Sequence, residues 1–141
     1  MKIYLSKADY EKILFHAEKN LPEEACGLIA GTEETENGEV VRYVKKVYLL
    51  ENTDHSNEHF TISPQDQLNC LKDARSSSLK MLGNWHSHPE SPSRQSEEDK
   101  RLSYDHNANY FIISLMEREK PVLNSFHFDG ENSTKEELII F

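Results

Sequence analysis

The chain has 141 residues, enough to close one hydrophobic core and too few for two ordinary domains, so a single domain over residues 1–141 is expected. Hydrophobic residues make up 36% and charged residues 29%, a balance that excludes a disordered chain. Sixteen Lys and Arg against 25 Asp and Glu leave a net charge of −9, which repels nucleic-acid phosphates and anionic lipid surfaces.

No apolar stretch approaches the roughly 18 residues that a membrane-spanning helix needs. The segment Met1–Asp9 contains no long apolar run of the secretory kind. The two cysteines, Cys26 and Cys70, are too few for a disulfide scaffold, and a reducing, cytoplasmic location is expected.

In chain order, Lys2–Leu5 reads as a strand. Ser6 then offers an N-cap hydroxyl, with Asp9 three residues on. Tyr10, Ile13, Leu14 and Ala17 follow at helical spacing, which predicts an amphipathic helix over 7–19 that Pro22 prevents from continuing. Ala25–Ala30, bounded by Gly31, and Val40–Leu50 read as strands around a polar turn at Glu33–Gly38. His59–Ile62 reads as a further strand. Ser63 and Pro64 supply the N-cap and N1 of a second helix whose core face is marked by Leu68, Leu71 and Ala74, with Cys70 near that stripe.

Ser76–Ser78 breaks this helix, and Lys80–His88 reads as a strand that Pro89 terminates. After a polar loop over 90–95, Ser96 with Glu97, Glu98 and Asp99 makes a helix start, its acids placed where the helix dipole favours them. Three strand-like runs close the chain: Tyr110–Met116, Val122–Phe128 and Glu136–Phe141. Helices interspersed with strands joined by short turns predict an α+β fold, a mixed sheet flanked by helices.

The chemistry concentrates at His86-Ser87-His88-Pro89, followed by Ser96 and Asp99. Residues i and i+2 of a strand share a face, so the two imidazoles project together, roughly 6 to 7 Å apart along the backbone. Asp99, in the first turn of the following helix, can fold back to complete a set of two nitrogens and one oxygen. Such a set leaves a fourth tetrahedral position of a zinc ion open for catalytic water. Taken separately, the histidine pair is also explained by packing and the Ser-x-x-Asp by helix capping. Hydrolysis further needs a carboxylate to move the proton of water to the leaving amine, and Glu23 and Glu24 are the candidates. Trp85 points away from the histidine face and reads as packing. His55, His59, His106 and His127 have no spacing that demands a metal.

Pro22-Glu23-Glu24-Ala25-Cys26-Gly27-Leu28-Ile29, together with His86-Ser87-His88-Pro89, Ser96 and Asp99, resembles the JAMM metalloproteases, the zinc-bearing branch of the MPN-domain family. The resemblance spans the whole chain and implies a single MPN domain with a layered architecture like that of cytidine deaminases. It implies one zinc ion on His86, His88 and Asp99. Glu24, rather than Glu23, becomes the general acid/base, and Ser96 helps to position water or to polarise the scissile carbonyl.

The activity so implied is that of a zinc-dependent peptidase or isopeptidase cutting after the Gly-Gly tail of a ubiquitin-like or sulfur-carrier protein. The chain has no room for the long insertions of eukaryotic members and resembles the small prokaryotic type. That type releases a C-terminal cysteine or trims residues beyond the diglycine. An extended tail that pairs with an exposed sheet edge and carries basic residues would suit the acidic chain, and glycines would let its backbone approach the metal. Two other readings fit less well. A cupin-like oxygenase, using His127 as a third imidazole, lacks the acid and glycine that should follow His88, and a non-catalytic scaffold needs none of the five site residues together.

Overall fold

The computed structural model describes residues 1–141. The strands are β1 (Lys2–Leu5), β2 (Cys26–Glu36), β3 (Glu39–Leu50), β4 (Lys80–His88), β5 (Asn109–Ser114), β6 (Val122–Phe128), β7 (Ser133–Lys135) and β8 (Glu137–Ile140). They form one sheet in the order β7-β6-β5-β4-β2-β3-β1-β8. The sheet is mixed: β2 runs antiparallel to both β3 and β4, while β4 and β5 are parallel. The helices are α1 (Lys7–Lys19), α2 (Pro64–Ser76) and the short α3 (Glu97–Arg101).

Serine hydroxyls start all three helices. Ser6, Ser63 and Ser96 accept from the backbone N–H of Asp9, Asp66 and Asp99, each satisfying a donor that the first turn leaves free. From α1, Ile13 and Ala17 are buried against Ile3, Leu5, Ile29, Trp85, Phe111 and Ile113. This is the main core. On the opposite face, Cys70 and Ala74 of α2 pack with Ala30 and Tyr48, beside Leu28 and Met81.

The expected mixed sheet with flanking helices is present, and four local expectations change. The polar turn expected over Glu33–Gly38 is confined to Asn37-Gly38, because β2 keeps pairing with β3 as far as Glu36 opposite Glu39. His59–Ile62 is not a strand, because its backbone groups bond to the side chain of Asn52 and to Thr53 instead of to a ladder. Leu68 and Leu71 do not form the core face of α2; they are 44% and 37% exposed, while Cys70 and Ala74 are buried. Successive helical residues turn by about 100°, so both leucines lie well off the stripe that Cys70 and Ala74 define. The run Glu136–Phe141 does not form one strand with its first residue. The chain passes from β7, on one edge of the sheet, to β8, on the other, across Glu136 alone.

A single residue bridges only a few ångströms, so the sheet must curl until its edges meet. Glu136 joins them. Its carboxylate accepts from Asn109 Nδ2 (2.8 Å) and Ser125 Oγ (2.6 Å), and its backbone N–H donates to the carbonyl of Ser125.

A bulge sets the phase of β4. Ile29 pairs with Gly83 and Ala30 with Met81, so Leu82 is the extra residue on β4. Leu82 and Trp85 thereby share the α1 face, and the alternation that follows turns His86 and His88 to the opposite one. Gly27 lies where this packing is tightest. A Cβ there would run into the carbonyl oxygen of Tyr48 and the indole nitrogen of Trp85, which hydrogen-bond to each other at 3.0 Å.

Candidate metal centre

His86 and His88 stand at the C-terminal end of β4, paired with Ile112 and Ser114 of β5, and are 3% and 5% exposed. Their Nε2 atoms lie 3.1 Å apart. Asp99, returned by α3, places Oδ1 3.2 Å from His86 Nε2 and Oδ2 3.1 Å from His88 Nε2. The capping box of α3 fixes that carboxylate: Ser96 N–H donates to Asp99 Oδ2 at 2.9 Å while Ser96 Oγ accepts from Asp99 N–H at 3.0 Å. One short helix start therefore both begins α3 and aims a ligand.

The outer contacts select the tautomer of one imidazole. His88 Nδ1–H donates to the carbonyl of Pro92 at 2.8 Å, leaving the lone pair of the neutral ring on Nε2. His86 stacks against Phe60, ring centroids 4.8 Å apart, and its Nδ1 is buried without a hydrogen-bond partner. Burial disfavours its charged form and pulls its pKa below the usual histidine value, although Asp99 opposes this. Burial pushes the carboxyl of Asp99 upward, but the two adjacent imidazoles and the bond from Ser96 N–H outweigh it and hold the group well below the ordinary range. Two imidazole nitrogens and one carboxylate facing a common point are a donor set that could hold a metal ion.

Glu24 reaches the same face from the segment before β2. Ala25 N–H donates to Ser87 Oγ at 2.8 Å and Ser87 N–H returns a bond to the Ala25 carbonyl at 3.0 Å, which ties this segment to the residue between the two histidines. Glu24 is buried, and its Oε1 has no hydrogen-bond partner. Burial first, then the negative charges of Asp99, Glu98 and Glu58, push its carboxyl up to about 9. Glu23 instead faces solvent and pairs with His55 at 3.1 Å, so of the two candidate acids Glu24 is the one turned inward.

The remaining predicted residues fall outside this cluster. Trp85 lies in the main core, and both cysteines are free and buried. His59 pairs with Asp54 at 3.0 Å, and His106 packs edge-on to Phe128. No free sheet edge lies beside the histidines, since β4 is flanked by β2 and β5; the expected edge pairing of an extended tail has no place there.

Sequence reasoning missed five residues around the cluster. Ser87 is completely buried, and a hydroxyl inside a buried strand must find a partner, a signal that was available. Phe60 and the carbonyl of Pro92 gave none, because neither a stacked ring nor a backbone acceptor leaves a periodic trace. Gln95 donates to Ser103 Oγ, which donates to the carbonyl of Asp99 at 2.6 Å, bracing α3 from behind.

The family described as prokaryotic homologs of the JAB domain matches residues 6–129. Among curated proteins, a CysO-cysteine peptidase of Mycobacterium tuberculosis is 25% identical over 116 residues, covering 82% of this chain and 75% of that protein. Among solved structures, a protein from Desulfitobacterium hafniense is 45% identical with a TM-score of 0.87, covering 99% of this chain and 92% of that one. A JAB1/MPN domain protein from Archaeoglobus fulgidus shares the fold, with a TM-score of 0.57 at 23% identity and 99% coverage of both chains. With a match that begins at the N-cap of α1 and runs past the end of β6, this chain belongs to the prokaryotic JAB-domain family, the small prokaryotic branch of the MPN fold.

Proposed function

We propose that the protein is a zinc-dependent peptidase that cleaves after the C-terminal Gly-Gly of a sulfur-carrier or ubiquitin-like protein. The observation that carries this reading is the convergence of His86, His88 and Asp99 beside a buried carboxylate whose Oε1 has no partner. Zinc bonds of about 2.0–2.1 Å in a tetrahedron set ligand atoms about 3.3 Å apart. The two Nε2 atoms lie 3.1 Å apart, and each has one oxygen of the Asp99 carboxylate within 3.1–3.2 Å, Oδ1 for His86 and Oδ2 for His88, spacings near that geometry.

His86 and His88 would hold zinc through Nε2 and Asp99 through its carboxylate. When bound, zinc supplies a Lewis acid that polarises the scissile carbonyl, lowers the pKa of water to about 7 and offsets the negative field around Glu24. Glu24 takes the proton of the attacking water and delivers it to the leaving nitrogen. Its burial beside Asp99 gives this carboxyl the proton affinity that such a shuttle needs, and the bonds between Ala25 and Ser87 keep its backbone in register with the ligands. Ser96 spends its acceptor on the N–H of Asp99 and keeps its own proton, which it offers to the substrate carbonyl or to water.

The substrate class is supported by the curated relative named as a CysO-cysteine peptidase. A tail of two glycines suits the crowded approach past Phe60 and the loop after Pro89. The test is digestion of a sulfur-carrier protein from the same genome, extended beyond Gly-Gly by cysteine, followed by mass spectrometry. Release of cysteine by the zinc-loaded protein, and not by chelator-treated protein, is expected. An intact carrier would overturn the substrate assignment.

A further inference from the structure

The carboxylate of Glu24 has no partner on Oε1, so its position depends on whatever holds its backbone. Ser87 grips the neighbouring Ala25. Glu24 itself is held from the other side, by the connection between β3 and α2. Its N–H donates to the carbonyl of Ser56 at 2.8 Å, and its carbonyl accepts from Asn52 Nδ2 at 3.0 Å.

Asn52 is 5% exposed, and its amide is fully used. Nδ2 donates also to the carbonyl of His59 at 3.0 Å, while Oδ1 accepts from Asp54 N–H at 3.0 Å and Thr61 N–H at 3.2 Å. His59 and Thr61 are the two neighbours of Phe60, the ring stacked on His86. One side chain therefore grips the backbone of the buried acid and the backbone on both sides of the ring that covers a candidate ligand.

We infer that Asn52 is a positioning residue, which holds Glu24 and Phe60 in fixed relation across the metal centre so that the carboxylate meets the reacting water. The inference rests on the proposed role of Glu24. Displacing a reacting group by about an ångström costs on the order of 10²-fold in rate. Asn52→Asp keeps the shape and the Oδ1 acceptor but removes both donors and sets a carboxylate oxygen against the carbonyls of Glu24 and His59.

The experiment measures kcat, KM and zinc content for the wild type, Asn52→Asp, Glu24→Gln and the double variant, using a Gly-Gly-Cys-tailed carrier as substrate. Asn52→Asp is expected to lower kcat by about 10²-fold, to move KM by less than about threefold and to retain one zinc per chain. In the Glu24→Gln background it should lower the rate no further, because its effect passes through Glu24. Unchanged kcat, an equal fold-loss in both backgrounds, or loss of zinc would each overturn the inference. Glu24→Gln with full activity would instead overturn the role of Glu24 itself. If Asn52→Asp does not fold, Asn52→Ser, with one small donor, takes its place under the same readouts. An arm that needs no variant is nuclear magnetic resonance of the wild-type side-chain amides: the Asn52 Nδ2 protons should exchange far more slowly than those of exposed asparagines. Exchange at the exposed rate would overturn the clamp.

Discussion

Replacing Glu24 by Gln separates what the buried acid costs the fold from what it gives to the reaction. Its carboxyl is raised from 4.5 to about 9, first by burial and then by Asp99, Glu98 and Glu58. A carboxyl raised in this way keeps a proton in the folded chain that the unfolded chain has already released. The penalty is absent below the unfolded pKa of 4.5, grows as pH rises, and levels off only above the folded value near 9. Between 4.5 and pH 7 it accumulates at about 1.36 kcal/mol per pH unit, on the order of 3 kcal/mol in all. Glutamine has almost the same shape and no proton to lose. In chelator-treated protein, Glu24→Gln should therefore melt higher than the parent at pH 7, by up to about 10 °C for a chain of this size, with the difference shrinking towards pH 5. With zinc restored, the same variant should lose activity by on the order of 10²-fold or more. Thermal unfolding followed by circular dichroism across pH 5–8 measures the first effect. A lower melting temperature than the parent at pH 7, or a difference that does not change with pH, would refute the reasoning.

Elemental analysis should find one zinc per chain in the wild type and almost none in His88→Ala; iron or manganese in stoichiometric amount would defeat the zinc assignment. A carrier whose second glycine is replaced by Val should resist cleavage, and cleavage of the Gly-Gly form should slow as salt rises, because basic residues near the tail meet an acidic chain. Equal turnover of the Val form would sink the substrate class while leaving the metal site standing. Gly27→Ala should destabilise the protein by about 3 kcal/mol, since its methyl group must displace the Trp85–Tyr48 hydrogen bond; an unchanged melting temperature would contradict the packing described. Burial raises both thiols, Cys26 to about 12, so iodoacetamide at pH 8 should label neither in the folded state and both after unfolding, as counted by mass spectrometry.

The parts legible in the sequence are those governed by local rules. The bounds of α1 follow from Ser6 and the apolar spacing through Ala17, and those of α2 from Ser63-Pro64 and the serines after Arg75. The meeting of His86, His88 and Asp99 follows from strand alternation and a helix start that sends a carboxylate back. Long-range pairing was not legible in this way. Nothing in Glu136–Phe141 announces that Glu136 spans the two edges of a curled sheet, and the strand-like residues of His59–Ile62 bond to the amide of Asn52. The exposure of Leu68 and Leu71 has the same origin: which stripe of a helix is buried depends on the sheet beneath it, and small residues, Cys70 and Ala74, face that sheet.

The strand order also constrains how a substrate tail reaches the cluster. Glu24 and the histidines are about 60 residues apart in sequence, and the antiparallel pairing of β2 with β4 sets Cys26 opposite His86. That pairing occupies one side of β4, and β5 occupies the other. A chain that approaches Asp99 and the two imidazoles can therefore add no strand to β4 and has to lie across the strand ends. There it meets the loop that carries Phe60 on one side and the segment from Pro89 to Ser96 on the other. If the substrate is the tailed carrier proposed above, sheet pairing gives the tail little of its binding energy, so recognition falls to the body of the carrier protein and to the steric limit on the tail. Under the proposed reading, two glycines serve by taking up little room, and the clamp at Asn52 matters because it fixes one wall of that passage together with the carboxylate beside it.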